Sequence, residues 1–112
     1  MKRIFHPGGS VITGSDLADA VLLYAEALSN RRQVDVVDIP VVGDDGLPGR
    51  AQFLIGAASQ LVSVTAEQGS RELVEQGTTD LLHLKARNRG TEMPAAWFSD
   101  ELESTQFDDF DY

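Results

Sequence analysis

Residues 16–30 carry the clearest periodic pattern of the chain, because apolar side chains recur there every three or four positions. The predicted buried side comprises Leu17, Val21, Tyr24, Ala25 and Leu28, and the wet side comprises Asp19, Glu26 and Asn30. Ser15 is a favoured N-cap residue, and Asp16 complements the positive end of the helix dipole. The pattern therefore predicts an amphipathic helix over residues 16–30 that lies on an apolar layer.

The first strands of that layer are predicted at the start of the chain. Residues 2–6 and 10–13 are short β-type runs that flank Pro7, Gly8 and Gly9. Proline presets φ for the first corner of a turn and glycine supplies a positive φ at the second, so we expect a type II turn with Gly8 at that second corner.

A second hairpin is predicted from the middle of the chain. Residues 34–42 form a β-branched run, in which Pro40 lacks a ladder donor and so favours an edge position or a strand end. Residues 50–56 and 61–66 read as the returning strand, broken by a bulge or bend at Gly56.

The remaining part of the chain up to Gly90 contains two candidate helices. Residues 67–76 have a helical pattern with Ser70 as the cap, and residues 78–90 fit both a helix capped by Thr79 and an alternating strand. No β-branched residue follows Thr79 in that segment, which favours the helix.

Together these elements predict an α+β fold with one small domain over residues 1–98. We expect an antiparallel sheet of about four strands, with the 16–30 helix packed on one face and a C-terminal helical segment beside it. Residues 93–97 are expected to fold back onto this body, because a lone tryptophan is usually buried. A chain of 112 residues can hold one hydrophobic core without a metal or disulfides.

Composition narrows the classes of function. The chain has no cysteine, which excludes disulfides and thiol catalysis. The start of the chain lacks the apolar run of a signal peptide, and the longest apolar run is far shorter than the ~20 residues that span a bilayer, so we expect a cytoplasmic protein without a membrane anchor. A formal net charge of −9 argues against direct binding to nucleic-acid phosphates.

The last fourteen residues supply most of this charge. Residues 99–112 contain six carboxylates, three aromatic side chains and no Lys or Arg, which predicts a disordered acidic-aromatic tail. A basic groove with apolar pockets would fit its end, and an inert solubilising terminus is the open alternative. The candidate partner-binding residues are Phe107, Asp108, Asp109, Phe110, Asp111 and Tyr112.

A second candidate is an anion site. Gly14 and Ser15 stand at the start of the long helix, where backbone N–H groups and the dipole attract anions, and Lys85, Arg87 and Arg89 are the main concentration of positive charge. An ordinary N-cap and a solvated basic face explain the same residues, and so does docking of the acidic tail onto the basic strip.

The sequence gives little support for catalysis, metal binding or cofactor binding. The chain has only two histidines, no nucleophile motif and no spacing that matches a known metal loop. We therefore expect a non-enzymatic interaction or regulatory protein that engages a protein partner through its tail. The alternatives are a small-anion-binding domain or minor enzyme and an acidic mimic of nucleic acid. Exposed sheet edges and Leu23 on the wet helix face also raise the hypothesis of a homodimer.

Overall fold

The computed structural model describes residues 1–57, 60–66 and 71–88, which form five strands and two helices. In chain order the elements are β1 (Lys2–His6), β2 (Gly9–Thr13), α1 (Ser15–Asn30), β3 (Val34–Val42), β4 (Pro48–Gly56), β5 (Val62–Thr65) and α2 (Gln76–Arg87). The α+β fold with an antiparallel sheet is confirmed, although the sheet has five strands rather than about four. The predicted segments 93–97 and 99–112 lie outside the described residues.

The strands follow one another across the sheet in the order β4-β3-β2-β1-β5. β3 and β4 pair along their full length of nine residues, from Val34 opposite Gly56 to Val42 opposite Pro48. β2 meets β3 in the single pair Ile12 and Val42. Most of the β3–β4 hairpin therefore extends beyond β2 as a two-stranded ribbon.

The prediction of one broken returning strand is wrong, because β5 does not continue β4 but pairs with β1 at the opposite edge of the sheet. Gly56 has φ +107° and Ala57 has φ 51°, so the chain turns sharply where β4 ends. A Cβ atom on Gly56 would lie 2.3 Å from the carbonyl oxygen of Gln33, which leaves room only for glycine.

The hydrophobic core lies between α1 and one face of the sheet. The fully buried side chains include Ile4 of β1, Val21 of α1, Ile39 of β3 and Ile55 of β4. α2 adds Leu82, which is 4% exposed. Each large aliphatic side chain contributes on the order of 1.5–3 kcal/mol by leaving water, so these contacts fix α1 on the sheet.

Two predictions about turns and edges need correction. The positive φ of the first hairpin falls on Gly9, at +147°, rather than on Gly8, so the turn is not type II. Pro40 does not mark an edge strand, because β3 lies inside the sheet between β4 and β2, but the predicted alternative of a strand end fits, since Pro40 lies two residues before the end of β3. Proline has no N–H to donate, and β2 pairs with β3 only at Val42, so no backbone hydrogen bond to β2 is lost at Pro40. The Thr13 hydroxyl donates to the Pro40 carbonyl oxygen at 2.7 Å.

The helix boundaries also differ in part from expectation. Gly14 rather than Ser15 occupies the N-cap of α1, without a side-chain cap of its own. Residues 71–75 have no regular secondary structure, contrary to the helix predicted over 67–76. The helix predicted over 78–90 is confirmed, since α2 covers Gln76–Arg87, but Thr79 lies buried within it instead of capping it.

Candidate functional site

The β3–β4 ribbon presents aliphatic side chains on the face that points away from α1. Alternation along β3 and β4 sends Val37 and Ile55 into the core and places Val34, Val36 and Leu54 on the opposite face. These three side chains are 54%, 53% and 57% exposed, respectively, and Val36 lies directly across from Leu54 in the register. We call this surface, Val34, Val36 and Leu54, the outer patch.

A network of charged groups borders the outer patch. Arg50 donates from Nε to Asp38 Oδ1 at 2.7 Å and from Nη1 to Glu75 Oε1 at 3.0 Å, and Gln52 donates to Asp38 Oδ2 at 3.0 Å. The pKa of Asp38 is lowered, first by the Gln52 hydrogen bond and then by Arg50. The pKa of Glu75 is lowered by Arg50 and by the hydroxyl of Thr78. The charges are thus paired with one another, and one cation against two carboxylates leaves the border with a net charge of −1.

The predicted anion site at the start of α1 is occupied by a side chain of this chain. The carboxylate of Glu72 accepts a hydrogen bond from the backbone N–H of Ser15 and another from the α-ammonium of Met1, the latter at 2.7 Å. These two bonds hold the pKa of Glu72 at about 2, below its usual value. Gly14 is buried against this segment, and a Cβ atom on it would lie 1.7 Å from the carbonyl oxygen of Leu73.

Lys85 and Arg87, the described basic residues of the predicted anion site, lie toward the other end of α1. Arg31, which follows that helix, donates to the carbonyl oxygens of Lys85 and Ala86 at 3.3 and 2.7 Å, and so fixes the C-terminal end of α2 there. A helix of 16 residues is roughly 24 Å long. The structure therefore does not bring Gly14 and Ser15 together with Lys85 and Arg87. Arg87 is exposed, and Arg89 lies outside the described part of the chain.

Lys85 takes part in a cluster that joins three elements. Its Nζ lies 3.5 Å from Asp35 Oδ2 and 5.8 Å from the centre of the Tyr24 ring, and the Tyr24 hydroxyl donates to the same Asp35 oxygen at 2.5 Å. Burial, and then the hydrogen bond to Asp35, raise the pKa of Tyr24 far above its usual value. The cluster holds α2 against α1 and β3.

A shallow groove of about 510 Å³ runs along the flank of α1. Its lining combines leucines with carboxylates: Asp19, Leu22, Leu23, Ala25, Glu26, Ser29 and Leu61. Leu23, which the sequence placed on the wet face, is 45% exposed there. One of the two carboxylates is already engaged, because Lys2 Nζ lies 2.6 Å from Asp19 Oδ1.

Within residues 1–57, 60–66 and 71–88, no group of three or more His, Cys, Asp or Glu side chains could hold a metal ion. His6 accepts a hydrogen bond from the Gly8 N–H at Nδ1 and stacks on the Phe53 ring with centroids 5.1 Å apart. The hydrogen bond stabilises the turn between β1 and β2, and the ring stacking packs β1 against β4. No helix in the described part of the chain is long and apolar enough to cross a membrane.

Sequence reasoning missed the residues that organise these surfaces. Glu72 and Glu75 were assigned to a predicted helix, and only the fold shows that they reach Ser15 and Arg50. The outer patch carried a readable signal, since Val34 and Val36 share one face of a strand whose other face is also apolar. The candidate tail residues, from Phe107 to Tyr112, lie outside the described ranges and stay a prediction.

Comparison with protein-family models, with curated proteins and with solved structures gave no match to this chain.

Proposed function

We propose that this chain is a non-enzymatic protein-interaction protein, in which an α+β body displays an apolar sheet face and the acidic residues 99–112 bind a basic partner. The observation that carries the proposal is the outer patch, whose three aliphatic side chains are each more than half exposed. Clusters of exposed apolar side chains on a folded domain are typical of binding surfaces.

The distribution of charge supports the second half of the proposal. The described residues contain eight Lys and Arg against ten Asp and Glu, whereas residues 99–112 contain six carboxylates and no Lys or Arg. A field of one sign on a short segment speeds encounter with a basic partner and makes the association sensitive to salt. The aromatic side chains among those carboxylates would add apolar contacts once the partner is bound.

The organisation of the described charged groups favours binding over catalysis. Arg50 is paired with both Asp38 and Glu75, and Glu72 accepts from the backbone N–H of Ser15 at the start of α1. The free helix N-terminus that an anion-binding function would use at Ser15 is therefore taken. Mimicry of nucleic acid by the acidic surface stays a prediction.

Affinity capture from native lysate tests the proposal, with the full chain compared with a version that ends at Phe98. Two matched variants of the full chain separate charge from aromatic contact: one replaces Asp108, Asp109 and Asp111 with Asn, and the other replaces Phe107, Phe110 and Tyr112 with Ala. We expect a protein that only the full chain retains, and we expect high salt to release it. Equal capture by the full and the shortened chain would contradict a role for residues 99–112.

A further inference from the structure

We propose that the acidic residues 99–112 bind, within the same chain, to a cluster of positive charge where the two helices end. The cluster, which we call the basic end, consists of Arg31, Arg32, Lys85 and Arg87. This proposal rests on the proposed function only in treating residues 99–112 as the binding segment. A basic partner then competes with the basic end for the same carboxylates.

The packing of α2 on α1 builds the basic end. Arg31 and Arg32 directly follow α1, and Lys85 and Arg87 belong to the last turn of α2. The Arg31 guanidinium donates to the carbonyl oxygens of Lys85 and Ala86 at 3.3 and 2.7 Å. Two pairs of basic residues that are more than fifty positions apart in the sequence therefore lie side by side.

Most of this positive charge is not neutralised by carboxylates. Lys85 pairs with Asp35 at 3.5 Å. No carboxylate of the described residues forms an ion pair with Arg31, Arg32 or Arg87. The C-terminal ends of two helices carry roughly half a negative charge each, so a surplus of about two positive charges remains. Arg32 and Arg87, which are exposed, present this surplus to solvent.

The distribution of charge favours the chain's own C-terminal residues as the occupant. Residues 99–112 carry six carboxylates and no Lys or Arg. Outside the basic end and Asp35, the described residues contain four Lys and Arg against nine Asp and Glu, so the rest of the body repels an external polyanion. A segment of the same chain does not meet this barrier to encounter, because it is already attached beside the basic end.

The connection between α2 and residues 99–112 is long enough for this contact. Asn88 is the last described residue, one position beyond Arg87, and ten residues separate it from Ser99. Ten residues can span at most about 35 Å. A tether of this length gives an effective concentration in the millimolar range, so several exposed ion pairs form together although each one is weak.

Paramagnetic relaxation measured by NMR on the full chain tests the contact. Because the chain has no cysteine, Ser104→Cys introduces a single thiol for a nitroxide spin label. At low salt we expect the label to broaden the amide signals of Arg31, Arg32 and Arg87. NaCl at about 0.5 M should remove that broadening, because it screens charges that are more than a few ångströms apart. Broadening that came from the tether alone would persist in salt.

Two exposed arginines provide matched substitutions in the spin-labelled chain. Arg87→Gln removes about half of the surplus charge and should remove about half of the broadening at Arg31 and Arg32. Arg71→Gln removes the same charge beside Glu72, whose carboxylate contacts Ser15 at the opposite end of α1, and should leave the broadening unchanged.

Three outcomes would overturn the proposal. The first is broadening that persists at high salt, and the second is an equal decrease in the Arg87→Gln and Arg71→Gln proteins. The third is broadening in an isotope-labelled chain that carries no nitroxide and is mixed with spin-labelled chains, since residues 99–112 would then bind a second copy. None of these measurements uses a partner protein, so failure here is distinct from failure of the capture from lysate.

Discussion

Replacement of Glu72 with Gln should destabilise the protein in a manner that depends on pH. The glutamine keeps the size of the side chain and an oxygen that can accept from the Ser15 N–H, so the substitution removes the negative charge and little else. That charge interacts with the α-ammonium of Met1 at 2.7 Å and with the positive end of the α1 dipole.

The magnitude follows from the pKa of Glu72, which falls from 4.5 to about 2 in the folded protein. A shift of that size corresponds to roughly 3 kcal/mol for a fully shielded group. The side chain is 43% exposed, however, and solvent screening should reduce the contribution to about 1 kcal/mol. The folded-state pKa is depressed, so this stability is fully present above pH 4.5 and is lost as the pH falls toward 2.

Urea unfolding followed by circular dichroism measures this difference. We expect Glu72→Gln to lower the free energy of unfolding at pH 7 and to match the wild-type protein near pH 2. Glu26→Gln, on the exposed face of α1, is the control and should change little at either pH. An equal loss at pH 7 and pH 2 would refute the electrostatic explanation, because protonated Glu72 and glutamine carry the same charge.

Three further predictions concern packing and titration. Gly14→Ala should lower the free energy of unfolding by about 1–3 kcal/mol in thermal denaturation, because its Cβ atom would lie 1.7 Å from a backbone carbonyl oxygen. Gly77→Ala is the control: no atom lies within 4 Å of the added Cβ atom, so the substitution should stabilise α2 by up to about 1 kcal/mol. Leu82→Ala should lower the free energy of unfolding by about 2–5 kcal/mol in urea, because Leu82 is buried. Leu84→Ala, at an exposed site on the same helix, should lower it by well under 1 kcal/mol. Similar decreases for the two variants would contradict the assignment of the buried and exposed faces of α2. In an absorbance titration of the folded protein, one of its two tyrosines should titrate well above the usual range, because burial raises the pKa of Tyr24, and Tyr24→Phe should abolish that late transition.

The local sequence pattern predicted those elements whose type does not depend on distant parts of the chain. α1 has a dipole-compatible start, a single apolar stripe and a clear end, and it lies within one residue of the predicted span. β3 matches residues 34–42 because a β-branched run suits a sheet wherever its partners come from. In these two elements, a stretch of 9 or 16 residues is enough to predict both the type of the element and its bounds.

Long-range pairing could not be predicted in the same way. The residues of β5 suit either a continuation of β4 or a separate edge strand; in the structure the chain turns at Gly56 and Ala57, and β5 pairs with β1. Glu72 looked like a helix residue because local propensity favours a helix there, yet its carboxylate is used at Ser15, 57 positions earlier in the chain. The outer patch follows the same rule, since exposure on one face depends on where α1 and α2 pack.

The position of β1 has a consequence for the order in which the protein can fold. β1 pairs with β5, whose first residue is Val62, and the Met1 ammonium contacts a carboxylate 71 residues away. A nascent chain that ends before Val62 can therefore already contain β1, β2, α1, β3 and β4 but lacks the strand that completes this edge. Closing so long a loop costs chain entropy before any contact repays it, so closure of this edge should be a late and slow step. Until β5 arrives, β1 offers an open edge to neighbouring nascent chains, and the fold is most vulnerable to misassembly in that interval.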